Sequence, residues 1–237
     1  MFRTCTLVVV AALVGYVLLG SAEAVEVRTP VDIQPAGPPE PETALKKLPK
    51  GFLAADLSAI LDSDAITDEA DRNDANFDEW KQSFAAEELP PAGPLEPKGL
   101  AVVFLFPAKD AKTYNNVACN GQKILIKQKA KALHFLVTAT DANQEEQVRL
   151  EYADDSKVQA DLKVTDWCGK PAFGEKAAVT CPSRVAVDAG GEGKRAKEKR
   201  ETHIWAVTVP VDPKRELKTL ILPRCPKIHV FAITVAK

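Results

Sequence analysis

The segment Glu201–Val235 reads ETHIWAVTVPVDPKRELKTLILPRCPKIHVFAITV and leaves this chain few folds to choose from. It holds three short apolar runs rich in Val, Ile and Thr, separated by Pro210–Pro213 and Pro223–Pro226. Runs of this kind are strands, and proline is confined to their ends because it cannot donate to a ladder. A chain that ends in three such returns predicts an all-β, antiparallel sandwich or barrel. Seventeen prolines against one methionine point the same way, toward strands and loops rather than long helices.

Upstream the same grammar continues. Leu100–Pro107 (LAVVFLFP) is a continuous apolar run, as in a strand buried on both faces. Gln122–Lys127 and Leu133–Thr140 are further strands. Glu146–Ala153 alternates with Val148, Leu150 and Tyr152 on one face, and Asp154–Ser156 turns the chain. Val158–Val164 returns with Val158, Ala160, Leu162 and Val164 inward, which makes a hairpin. Val179–Val187 is a strand broken at Pro182, and the polar stretch Asp188–Arg200 reads as a solvated hairpin tip with five cations, Arg195 among them. Roughly nine or ten strands at regular intervals, with no helix-length periodic segment, predict one antiparallel sandwich over residues 51–237.

The N-terminus bears on compartment. A basic start at Arg3, an apolar run Leu7–Leu19 and the small-residue site Ala22–Ala24 have the layout of a secretory signal peptide over residues 1–24. The alternative is an uncleaved anchor, but about 13 apolar residues fall short of the roughly 20 a spanning helix needs. No later stretch is apolar enough to span, so no membrane span is expected after cleavage. Residues 25–50, rich in Pro, Glu and Lys, read as an extended tether. The expected location is therefore secreted, periplasmic or on the cell surface. A net charge of −2 gives no reason to expect a nucleic-acid partner.

Four cysteines follow the signal segment: Cys119, Cys168, Cys181 and Cys225. An even count in an exported chain suggests two disulfides, with three possible pairings. Cys168 and Cys181 flank one loop, which favours that pair and leaves Cys119 with Cys225; the alternative is that some are free, buried thiols. Zinc is disfavoured, because there is no Cys-x-x-Cys and the three histidines are scattered.

No catalytic constellation is visible. There is no Gly-x-Ser-x-Gly, no His-Glu-x-x-His and no Gly-rich phosphate loop, so the chain reads as non-catalytic with no cofactor. Asp74-x-Asn76-x-Asp78 has the oxygen spacing that opens a calcium loop. Glu79 then stands where the turn needs Gly, and Ala85 where a bidentate Glu is required, which excludes an EF-hand and leaves a looser structural calcium site or a merely solvated acidic loop. For ligand binding the candidates are Trp80, Tyr114, Asn115, Asn116 and Trp167, aromatic and amide side chains near loop tips suited to a sugar's apolar face and hydroxyls. Asp166 beside Trp167 either orients a sugar hydroxyl or closes a strand end. Trp205, in mid-strand, belongs to the core, and His203 to the surface.

The ordered segments DLSAI, DSDAITDEADRNDANFDE, FAAEELPPAG, YNNVACNGQKI, LHFLVTATDA, VRLEYADDS, LKVTDW and the closing run resemble the accessory β-sandwich of secreted bacterial glycoside hydrolases. That family has a galactose-binding-like jelly-roll fold related to carbohydrate-binding modules. The resemblance spans Phe52–Val235 and implies a non-catalytic fold with any ligand site in the loops at one end, often with a structural calcium. It departs at Glu79–Phe84, where the family is usually Gly-rich. The expectation is an exported carbohydrate-binding-like module. The alternative is a structural or protein-interaction domain of the cell envelope that binds no sugar.

Overall fold

A computed structural model of the chain describes residues 45–68, 75, 77–110, 112–187 and 194–237. The signal segment, most of the tether, Asp74, Asn76 and the tip 188–193 lie outside the described residues. Strands follow in the order β1 (Leu45–Lys47), β2 (Leu53–Ala55), β3 (Ile66–Thr67), β4 (Ser83–Ala85), β5 (Gly93–Leu95), β6 (Phe104–Phe106), β7 (Val117–Asn120), β8 (Lys123–Lys129) and β9 (Ala132–Ala139). The second half adds β10 (Gln144–Tyr152), β11 (Lys157–Val164), β12 (Lys176–Cys181), β13 (Arg184–Val187), β14 (Arg195–Glu198), β15 (Thr202–Pro210), β16 (Glu216–Ile221) and β17 (Arg224–Ala236). Among the described residues no helix is long and apolar enough to cross a membrane.

The all-β antiparallel sandwich is borne out, with more layers than alternation alone suggests. The main sheet runs β1-β2-β17-β9-β15-β12, with β7 also paired to β17. One face packs on the sheet β11-β10-β16-β8. Leu133, Phe135, Val137 and Trp205 there meet Ile124, Val148, Leu150 and Leu220 in the larger core. The other face carries a second core, where Leu136, Ile204 and Ala232 meet Ile66, Phe84, Phe104 and Phe106. The sheet β14-β13-β4-β3 and the ribbon of β5 and β6 supply this second cover.

A strand covered on both sides must be apolar or neutral at every covered position, and the buried stretches of β9 and β17 are. From Phe135 to Ala139 every β9 residue is buried, and so is every β17 residue from Ile228 to Val235. A bulge in β17 fits it to both covers: Val230 pairs with Val137 and Ala232 with Leu136, leaving Phe231 unpaired between them. Phe231 and Ala232 thus enter the second core in succession, while Val230 and Ile233 serve the first.

Three expectations are corrected. The last residues assigned to the tether fold: Leu45–Lys47 pairs with β2 from Leu53 to Ala55. The β10–β11 hairpin forms in the expected register, Val148 opposite Ala160 and Leu150 opposite Val158. Val158 nevertheless stays 39% exposed, because β11 is an edge strand whose outer end overhangs the core. Arg195, grouped with solvated cations, is buried: its Nη2 donates to Ser83 Oγ at 2.9 Å and its Nη1 to the Ala75 carbonyl. It ties the β13–β14 hairpin to the start of the Phe77 loop.

The cysteines are a fourth correction. Cys119, Cys168, Cys181 and Cys225 are all free thiols, and neither expected disulfide forms. The sulfurs turn to other partners. Cys168 Sγ accepts from Arg184 Nη1 at 3.6 Å, Cys181 Sγ faces the Glu88 carbonyl at 3.9 Å, and Cys225 Sγ faces Gln144 Oε1 at 3.7 Å. Burial pushes the Cys119 thiol well up and the Cys181 thiol up to about 12. Only a thiolate attacks an alkylating agent, so these two sites should be inert in the fold. Mass mapping after iodoacetamide at pH 8 should find Cys119 and Cys181 unmodified until the protein is unfolded. A Cys168–Cys181 cross-linked peptide in the non-reduced digest would overturn this assignment.

Candidate functional site

One end of the sandwich gathers the turn after β9, the loop after β11, the start of β13 and the loop before β4. The last is the best-defined of these. Asp78 Oδ1 accepts the backbone N–H groups of Trp80 and Gln82, each at 2.9 Å. Lys81 donates its N–H to the Asp78 carbonyl at 3.1 Å and turns at φ 56°. Phe77 N–H reaches the Gln82 carbonyl at 3.1 Å and closes the loop. The short polar side chain of Asp78 does what an aspartate does in a turn, replacing backbone partners the loop lacks. Trp80 at the tip is 69% exposed.

Around this tip the groups are charged. Burial raises the Asp78 carboxyl above the usual carboxylate range, with nearby Asp141 adding to the shift, while the two N–H bonds and Arg184 oppose it. Asp141 pairs with Lys227 at 3.3 Å. Arg184 donates to Gln82 Oε1 at 2.6 Å and to Glu198 at 2.7 Å. The result is a loop with an exposed indole at its tip and, at its base, the Asp78 carboxylate near Asp141 and a fixed guanidinium.

The remaining candidates divide. Tyr114 is 63% exposed. Asn115 and Asn116, expected at a loop mouth, are buried and serve the fold. Asn115 Oδ1 accepts from Ala65 N–H at 2.9 Å, and Asn116 Nδ2 donates to the Ser63 carbonyl at 3.0 Å. Buried amides need such partners, and these have them. Trp167 is also buried, edge-on to Phe77 and Phe84 with centroids 5.0 Å away in each case. Asp166 closes a strand end: Oδ1 accepts from Cys168 N–H at 2.8 Å and Oδ2 from Ala142 N–H at 3.1 Å. Of the calcium candidates, Asp74 and Asn76 lie outside the described residues, and Asp78 Oδ1 accepts hydrogen bonds from its own loop. Among the described residues no three His, Cys, Asp or Glu side chains converge as a metal site requires.

Sequence reasoning missed His229. Its Nδ1 bonds Asn116 Oδ1 at 2.9 Å, and its ring lies 4.5 Å from that of Phe77. The loop bearing Tyr114 and the loop bearing Trp80 therefore rest on one imidazole. The available signal was a histidine inside an otherwise apolar run, IHVFAITV.

This chain belongs to the AziU2-like beta-sandwich domain family. The family model matches residues 55–237, from the end of β2 through β17. No curated protein matches the chain. In this AziU2-like domain the match takes in nearly all of both cores, Leu53 lying just before it, and the loops at the Trp80 end.

Burial lowers the His229 imidazole to about 4, against 6.5 for the free group. The folded state holds it neutral, so acid favours unfolding. The penalty is absent above about pH 6.5, grows as pH falls and is complete below about 4, where it reaches about 3 kcal/mol. His134 and His203 shift the same way through burial, so a variant must isolate the effect. Between pH 6.5 and 5 the urea midpoint should fall less in His229→Gln than in the native protein; parallel loss would exclude this origin. Trp167→Ala should cost about 3–5 kcal/mol through the cavity it leaves. Trp80→Ala should stay within about 0.5 kcal/mol of the native stability, as expected for a solvent-facing side chain. Equal denaturation curves for the two variants would contradict the burial assigned to Trp167.

Proposed function

We propose that this AziU2-like domain is an exported, non-catalytic binding module that takes carbohydrate at the Trp80 end. The observation that carries the reading is the Trp80 indole, held out at 69% exposure on a loop closed by hydrogen bonds rather than folded back onto the apolar surface. An indole face stacks on the apolar face of a pyranose, and neighbouring carboxylates accept its hydroxyls. Asp78, in the same loop, and its neighbour Asp141 are the carboxylates proposed for that second role, and Tyr114 is a further exposed ring. Export is supported by the N-terminal charge and hydropathy pattern. The likeness in segment order to the accessory sandwiches of glycoside hydrolases supports the same ligand class.

Calorimetry against a panel of plant and algal polysaccharides should find a ligand whose affinity drops roughly 10- to 30-fold in Trp80→Ala, the range for an aromatic hot spot. Trp167→Ala is the structural control. No binding across the panel, with calcium added, rejects the sugar reading. A specific envelope protein retained by the native module and lost in Trp80→Ala would assign the same indole to a protein partner instead.

A further inference from the structure

His229 is a single buried imidazole that supports two loops, and its surroundings fix which of its nitrogens carries the proton. The Asn116 amide donates through Nδ2 to the Ser63 carbonyl and to Asn115 Oδ1, both at 3.0 Å. Its Oδ1 is therefore the atom turned to His229 Nδ1 at 2.9 Å, and an amide oxygen can only accept. The neutral ring is thus the Nδ1–H tautomer, with Nε2 the bare nitrogen that titrates. Among the described residues Nε2 has no hydrogen-bond partner, and Thr138, opposite on β9, leaves its own buried hydroxyl unbonded. With the residue 4% exposed, a proton on Nε2 gains neither an acceptor nor full hydration.

The charged groups on the surrounding elements do not compensate. They are Asp62 and Asp64 before β3, Asp78 in the Phe77 loop, Asp141 after β9, Lys227 on β17 and Arg184 on β13. Cys119 on β7 is held as the neutral thiol by its burial. Burial alone lowers the imidazole, with none of these groups contributing. A charge on Nε2 is therefore relieved by admitting water. β7, β9 and β17 are held around the ring by their ladders, with Ala118 and Thr138 both opposite His229. Phe77 to Gln82 pairs with no strand and is closed on itself, and the Phe77 ring lies 4.5 Å from the imidazole. A segment held by side-chain packing opens at lower free energy than paired strands do. Lifting Phe77 uncovers the imidazole and carries Trp80 with it.

We infer that His229 is an acid-operated release for the Trp80 loop: a proton on Nε2 is accommodated by lifting Phe77 from the imidazole while the paired strands stay in place. The closed loop favours the neutral ring and the open loop the charged one. Opening is therefore disfavoured above about pH 6.5 and grows as pH falls toward about 4. Asp78 works in the other sense: burial raises its carboxyl, so a proton there relieves a cost of the closed loop. The release also sets the pH range of the sugar site, a consequence that rests on the reading of Trp80 as its contact; the movement of the loop does not.

The test is hydrogen exchange of the full chain, read by mass spectrometry at about pH 6.5 and 4.5 and corrected for the intrinsic pH dependence of exchange. Opening of peptides covering Phe77–Gln82 should rise at least about tenfold in acid, with β9 and β17 still protected. His229→Gln keeps a donor for Asn116 and carries no charge, so it should abolish the rise, whereas Asp78→Asn should retain it. In Phe77→Leu, NMR titration should move the His229 midpoint upward from about 4 toward 6.5 as its cover weakens. An acid response spread evenly over loop and strands, one unchanged in His229→Gln, or a midpoint unmoved in Phe77→Leu overturns the inference. For a sugar bound at Trp80, affinity should fall by the same factor in acid and hold in His229→Gln. No sugar bound at either pH, with the loop response intact, rejects the site and not the release.

Discussion

The pairing of β9 with β17 is the constraint on which the rest depends. The two strands run antiparallel from Ile228 opposite Ala139 to Ala236 opposite Ala132. Both are covered on each face, which places them where water cannot satisfy a backbone group. Every N–H and C=O there must find its partner in the ladder, so the ladder cannot slip. A one-residue shift would exchange the two faces and send Phe231 and Leu136 into the wrong core. The bulge at Phe231 reconciles this fixed ladder with two cores of unequal size, by giving the second core two consecutive side chains.

From that ladder the loop end inherits its order. His229 lies on β17 opposite Thr138 and Ala118, deep enough to be held by the strands on either side. Its imidazole then supports Asn116 above it and Phe77 beside it, and Phe77 packs on Trp167 and Phe84. The chain of contacts runs from the most buried strand to two exposed loops without a flexible link. A side chain presented at this end is thus set on loops anchored to the buried pairing of β9 and β17.

What was legible in the sequence follows the range of the forces involved. The β10–β11 hairpin and the closing strands could be read because alternation and turn residues are local signals, Asp155 at φ 62° among them. Trp205 could be read as core because it sits mid-strand among β-branched residues. The fates of Trp80 and Trp167 could not, since both stand in loops and burial there depends on which distant strand the loop covers. Asn115 and Asn116 look like loop-tip amides because their partners, Ala65 and Ser63, lie some fifty residues away. Arg195 likewise finds Ser83 two strands away in its own sheet, and Ala75, over a hundred residues distant in sequence. The cysteines misled for a related reason: an even number and short spacing describe the chain, whereas a disulfide requires sulfurs that face each other.

The three tryptophans separate scaffold from recognition. Trp205 and Trp167 are enclosed, one in each core, and their rings contribute through area removed from water. Trp80 contributes nothing of this kind to the fold, yet its backbone is among the better-restrained in the loop because Asp78 takes up its N–H. That bond, with the one to Gln82, orders the loop before any ligand arrives. A partner that stacks on the indole therefore meets a tip whose conformational entropy was lost on folding, and more of the contact energy appears as affinity. Asp78 performs this positioning with Oδ1.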